Sequence, residues 1–482
     1  MLVERYGSLG GMATNGLIIL LLTLDDGRGK QVIAGLCQEM VDRLAARQAC
    51  LFPPKDEWGL PNPELVEKYQ RLGLVWGGAP HVVRYSVAYD PEEFKCEADL
   101  MVAEAGVDLR FHRWAVGVVK DGERITHVIF ESKAGREAVA CGAVIDCTGD
   151  ADIAVLANEP VESEQVHPWL WFRTANVDMD AAESSKLRPG YYKTVWQNGY
   201  LHPWGAAERI ERQIDATNPD DLTYAEVECR RLVRAEVDRL RDKAPGFEQA
   251  YLSAFAASLG ITESRRLVGR HMLSREEMDI RRDDAVAITG HWTKYGSTYH
   301  IPWDSLLAKG TANLATAGRC ISVDHRTHHA TKEIPACFAT GEAAGLGAAM
   351  LGMADGGAVW GRLALAGALL HLWNHGAFKS LLFLGAGSVI IASSAPQGRA
   401  PSDAGAAGAL MARRPTGPIA PRDTGAACPA RSSRDARARA RGATSTARRP
   451  ARAPRRRRSA FYASQLQPSR RSSRYPICVI QR

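Results

Sequence analysis

The chain has 482 residues, enough for two or three domains, and its 45% hydrophobic and 24% charged content is near the average of soluble globular proteins. Its +7 formal charge excludes a uniformly basic protein, because residues 394–482 carry 20 arginines against three aspartates, with neither lysine nor glutamate; that is +17 and leaves the preceding 393 residues at −10. The ten cysteines stand singly with no C-x-x-C, and Cys141 and Cys147 lack His or Cys companions, which excludes a zinc cluster and points to a reduced, cytoplasmic protein.

The opening, MLVERYGSLGGMAT, reads as a short strand ending on Glu4, then a glycine turn at Gly10 and Gly11. Leu17 to Leu22 is apolar but has neither a charged leader nor a small-residue cleavage site, so no signal peptide is expected. Helical spacing of Val32, Leu36, Met40 and Leu44 predicts a helix within 29–48. A second is predicted from Pro91, capped by Asp90 and closed by Gly106. Two or three strands follow around an Asp-Gly turn at 121–122, and Val144 and Ile145 lie on a buried strand that runs into Thr148-Gly149-Asp150.

Residues 158–300 differ in texture, with Trp169, Trp171 and Phe172 and a long charged helix from about 220; they read as an inserted domain covering one side of the first. From 301 the earlier style returns: NLATAGRCIS is a strand entering a glycine turn, and Pro335 opens a helix of small residues. Ala and Gly at 339, 341, 343, 344, 345 and 347 predict close packing of a strand or a cofactor against it.

Four stretches in this order, ERYGSLGGMATNGL, TGDADIA, ESRRLVG and NLATAGRCIS with IPACFATGEAAG, resemble the FAD-dependent oxidoreductase family, a branch of the glutathione-reductase-like flavoproteins, over about residues 1–355. The resemblance implies an α/β fold: a Rossmann-like FAD-binding domain with an inserted mixed α+β substrate or cap domain. It implies FAD as cofactor, and Glu4 with its neighbour Arg5 at the adenosine ribose. Gly10, Gly11 and Thr14 match the turn that closes on the cofactor, and Ala115 matches the strand that offers its backbone to the adenine. Thr148, Gly149 and Asp152 match the second turn, and Gly318 and Arg319 the turn nearest the diphosphate. Pro335 and Ala336 open a helix whose amides face the flavin. Arg265, beside Arg266, matches an arginine pair for substrate or cofactor, although Thr262 stands where the family usually has arginine. His325 and His328 in DHRTHH are the first candidates for proton transfer near the ring, and His291 is a further pocket candidate. Simpler readings stay open: Glu4 as a solvated strand end, 148–150 as an ordinary capped turn, the histidines as loop residues, and the arginines as ion partners of Glu263.

Two departures qualify the resemblance. The family pattern begins upstream of the glutamate with a strand and a G-x-G-x-x-G turn; the first βα unit is missing here, and GAGSVI at 385–390 is only a partial copy. Loss of the central strand predicts a truncated site with unpaired strand edges and little or no hold on FAD. Residues 369–393 instead resemble a membrane segment of antiporter-like proton-pump subunits, with His375 and Lys379 in matching places. The expected division is 1–157 and 301–360 for FAD, 158–300 for substrate, 361–393 as a foreign apolar segment, and 394–482 as a disordered tail. The function expected is hydride transfer between a small organic substrate and FAD, with no specific nucleic-acid partner. The alternatives are a non-catalytic remnant of a chimeric or frame-shifted gene and a membrane-anchored flavoprotein held through 363–393.

Overall fold

The computed structural model describes residues 1–184, 192, 194–355 and 477–481. All belong to one compact unit, Met1–His371 with Leu466–Arg482; a second unit, Leu372–Gln465, lies outside the described residues. The expectations for 361–393 and for 394–476 also fall outside them.

Strand β1 (Leu2–Glu4) opens the chain, and helix α1 (Gly35–Ala46) begins later than its apolar spacing predicts. Val32 and Ile33 donate their amides back to the Leu24 carbonyl at 2.8 and 3.0 Å, which ties that segment down ahead of the helix. Gly35 has a φ of 54°, and a Cβ there would overlap the Glu342 carboxylate, so only glycine suits this start. Cys37, Met40, Val41 and Leu44 form the buried stripe of α1. Helix α2 (Pro91–Glu104) follows its predicted bounds: the Asp90 carboxylate accepts from the amides of Glu92 and Glu93 at 2.8 and 3.2 Å.

Strands β2 (Leu109–Arg110), β3 (Trp114–Asp121), β4 (Arg124–Ser132), β5 (Gly135–Ala140) and β6 (Ala143–Cys147) come next. β3, β4 and β5 form an antiparallel meander, with Gly122 at φ 55° in its first turn. In the following segment β7 (Phe172–Ala175), β8 (Gly199–His202) and β9 (Tyr251–Phe255) make a sheet of order β8–β7–β9. Helix α3 (Pro219–Lys243) buries Cys229, Leu232, Val233 and Val237 in one cluster with Leu170, Phe172 and Ile214. The chain then returns through β10 (Leu314–Thr316), α4 (His325–Thr331) and α5 (Ile334–Asp355), and β11 (Ile477–Gln481) lies far beyond.

The central sheet is parallel with order β10–β6–β11–β1–β2. One face packs Val3, Val144, Cys478 and Ile480 against Phe130 and Val128 of the meander. The other packs Ala143 and Ile145 with Ala344 and Ala348 of α5, giving three layers.

β11 corrects two expectations. The edges between β1 and β6 are not left unpaired, and residues 477–481 of the expected coreless tail form a buried strand. In ICVIQ the side chains of Cys478 and Ile480 are 0% and 2% exposed, so this run, unlike the arginine-rich sequence before it, has apolar groups to bury in the slot between β1 and β6. Among the described residues no helix is long and apolar enough to cross a membrane.

Candidate functional site

A cavity of about 780 Å³ opens at the carboxyl ends of the central strands, where open parallel sheets bind ligands. Arg5, Gly10 and Gly11 follow β1 into its wall, Thr148 and Gly149 follow β6, and Gly318 and Arg319 follow β10. The end of β11 adds Val479 and Gln481, α5 adds Ile334 and Cys337, and the inserted segment adds Leu259 and Ile261.

The turns are shaped by backbone that only glycine takes easily: φ is 100° at Gly10, 75° at Gly149 and 74° at Gly318. A Cβ on Gly149 would stand 2.7 Å from the Arg319 guanidinium carbon, so turn and side chain pack as one unit. Asp146, fully buried at the end of β6, braces the second turn by accepting from the Thr148 amide and hydroxyl and from the amides of Ile153 and Ala154. Burial pushes its carboxyl up to about 6, against the hydrogen bonds from Thr148.

Arg319 joins the turns. Its Nε donates to the Gly149 carbonyl at 2.6 Å, and its terminal nitrogen pairs with Asp150 at 2.8 Å. Asp150 also holds the Ser264 hydroxyl, and Arg265 donates to the Asp150 carbonyl at 2.8 Å and pairs with Asp152. His328 closes the set from below: fully buried, it donates Nε2–H to the Arg319 carbonyl at 2.6 Å. Burial, with Lys332 and Arg266 nearby, drives the His328 pKa far down, so this imidazole stays neutral.

The structure thus brings Arg5, Gly10, Gly11, Thr148, Gly149, Gly318 and Arg319 to one cavity wall. Asp152, Arg265 and His328 stand behind it in the clamp. Thr14 braces the first loop by donating to the Leu9 carbonyl at 2.6 Å. Glu4 is fully buried behind the wall and accepts from the Tyr6 amide at 2.8 Å. Ala115 is buried in register with Phe130, and Pro335 and Ala336 are buried in the first turn of α5. His325 is 61% exposed, 3.3 Å from Glu263, and outside the cavity wall. Arg266 is buried against Glu162 and Glu164, and His291 is buried with Nδ1 accepting from the Thr293 and Lys294 amides.

Sequence reasoning passed over Lys332 and Glu333, which line the cavity immediately before α5. Lys332 pairs with Glu263 at 2.5 Å and donates to Thr262 at 3.2 Å, tying α5 to the inserted segment. Burial raises the half-buried Glu333 carboxyl to about 7, and Lys332 opposes the shift. The only signal in the sequence was position, one residue before the helix. Burial pushes the Cys337 thiol up to about 12, so it is no thiolate nucleophile at neutral pH. Among the described residues no cluster of His, Cys, Asp and Glu could hold a metal.

FAD fits this donor set: three glycine turns converge at strand ends, a cation lies at two of them, and the remaining wall is largely apolar. Solved structures similar to the chain include p-nitrophenol 4-monooxygenase of Pseudomonas putida DLL-E4, at 11% identity and TM-score 0.34, covering 74% of this chain and 81% of that one. A flavin-dependent brominase triple mutant shares 12% identity at TM-score 0.31, covering 58% of this chain and 60% of its own. L-amino acid deaminase of Proteus vulgaris shares 11% at TM-score 0.33, covering 65% and 70%. The chain therefore spans less than two thirds of the brominase and more of the other two. No curated protein matches it in sequence. A family model described as FAD dependent oxidoreductase matches residues 1–356, and over that length the chain belongs to this family, with FAD as its cofactor.

Proposed function

We propose that the chain is a flavoprotein oxidoreductase that moves a hydride between a small organic substrate and FAD. In this reading residues 1–157 and 301–360 hold the cofactor, and 158–300 form the substrate side. The observation that carries it is the meeting of the Gly10, Gly149 and Gly318 turns at the carboxyl ends of β1, β6 and β10, with the Arg319 clamp joining the last two.

The geometry supports the following roles. The glycine turns let backbone approach the diphosphate closely, and Arg319, held at two points, supplies a fixed positive charge that need not reorganise. Arg265, Asp152 and His328 are positioning residues that act through that clamp. The N-terminus of α5 faces the cavity through Ile334 and favours negative charge there. When bound, FAD supplies the hydride-accepting and hydride-returning ring. Glu333 holds or accepts a proton at its carboxylate near neutral pH, and Leu259 and Ile261 keep water from that end.

Flavin absorbance of the purified chain, before and after incubation with FAD, tests the reading. One FAD per chain is the expected result. A colourless protein that takes up no added FAD overturns it in favour of a remnant without cofactor.

A further inference from the structure

β11 lies outside the family match, which ends at residue 356, yet it is a central strand of the sheet beneath the cavity. Its backbone pairs with β6 over residues 477–481 and with β1 over 479–481. The Val479 amide donates to the Met1 carbonyl at 3.1 Å, and the Met1 amine donates to the Ile477 carbonyl at 3.1 Å. Cys478 and Ile480 point into the core with Val3 and Val144, while Val479 and Gln481 line the cavity.

This placement has a mechanical consequence. Among the described strands, β11 alone connects β1–β2 to β6–β10, so without it the sheet divides into two pairs. The first pair carries Arg5, Gly10 and Gly11, and the second carries Thr148, Gly149, Gly318 and Arg319. With β11 seated, β1 and β6 stand two strand spacings apart, about 9–10 Å, and the two walls face each other at a set width.

We propose that the C-terminal strand 477–481 is a docking element of the FAD site: it fills the slot between β1 and β6, sets the width of the cavity, and couples its own seating to cofactor binding. The slot accepts an extended pentapeptide in parallel register, four apolar residues and a terminal Gln, recognised by main-chain hydrogen bonds on both sides and by core packing of Cys478 and Ile480. The coupling is reciprocal, so FAD stabilises the seated strand as much as the strand favours FAD. The inference rests on the FAD reading given above.

Two measurements on the full chain test it. The first is amide hydrogen exchange at 478–481 with and without FAD. Slower exchange with FAD by at least about tenfold is expected, and no change overturns the coupling. The second is FAD affinity of Ile480→Asp with a synthetic peptide of sequence ICVIQR added in trans. The expected result is a loss of about tenfold or more in affinity, restored by the wild-type peptide and not by one carrying the same aspartate. Unaltered affinity in the variant, or loss that the peptide does not restore, overturns the proposal. A wild-type chain that takes up no FAD instead overturns the functional reading, which separates the two failures.

Discussion

Lys332 and Glu333 are adjacent in sequence and opposite in circumstance. Lys332 is committed to Glu263 at 2.5 Å, whereas Glu333 faces the cavity and burial raises it to about 7. The unfolded chain releases that proton near the ordinary value of 4.5, so between about 4.5 and 7 the folded protein holds more protons and its stability falls as pH rises. Glu333→Gln removes this slope: we expect it to stabilise the protein by about 1–3 kcal/mol at pH 8, discounted for water in the cavity, and to leave stability near pH 4 unchanged. Urea unfolding at the two pH values checks this, and an unaltered slope refutes the titration. If Glu333 accepts the proton in the proposed reaction, kcat/KM of the wild type is expected to rise through pH 7, and that of the variant to be flat and lower by roughly 10²-fold. Neither residue stands out in the sequence. DHRTHH does, and its nearness to the Gly318 turn is legible; but the turn of α4 sends His328 under Arg319 and His325 to solvent. Which face of a short helix meets a cavity depends on what packs against it.

At the scale of elements, local chemistry wrote the well-predicted boundaries. Asp90 and Pro91 satisfy and pre-set the first turn of α2 by themselves, and Gly318 supplies the turn after β10. The start of α1 was not legible, since it depends on Leu24 and on Glu342, about 300 residues away. The same holds for the buried pair Asp25–Arg84, with N–O distance 3.1 Å and exposures of 0% and 1%. Arg84 also donates to the Thr23 hydroxyl at 2.8 Å and to the carbonyls of His291 and Trp292, binding three segments together. Asp25→Ala leaves that guanidinium buried without its counter-charge, and we expect a loss of about 3–5 kcal/mol in unfolding free energy. Chemical denaturation checks it. A loss below about 1 kcal/mol would show that water or a neighbour replaces the carboxylate.

For the molecule as a whole, a cofactor held across the strand ends, as proposed, would bind the folded state alone. FAD at 100 times its dissociation constant should then add about 2.7 kcal/mol and raise the melting temperature by several degrees. Thermal scans at increasing FAD check this, and a midpoint independent of FAD refutes it. The sequence by itself determined the family, the capped helices and the glycine turns, because these depend on residues close together in the chain or on motifs in fixed order. Only the tertiary structure decided that Arg319, Asp150 and Arg265 form one clamp, that Glu333 faces the cavity, and that residues 477–481 complete the sheet. Parallel partners are joined by long crossovers rather than tight turns, so five residues, four of them apolar, can take a central place from far along the chain. What selects them is the slot between β1 and β6, which exists only once the fold has formed.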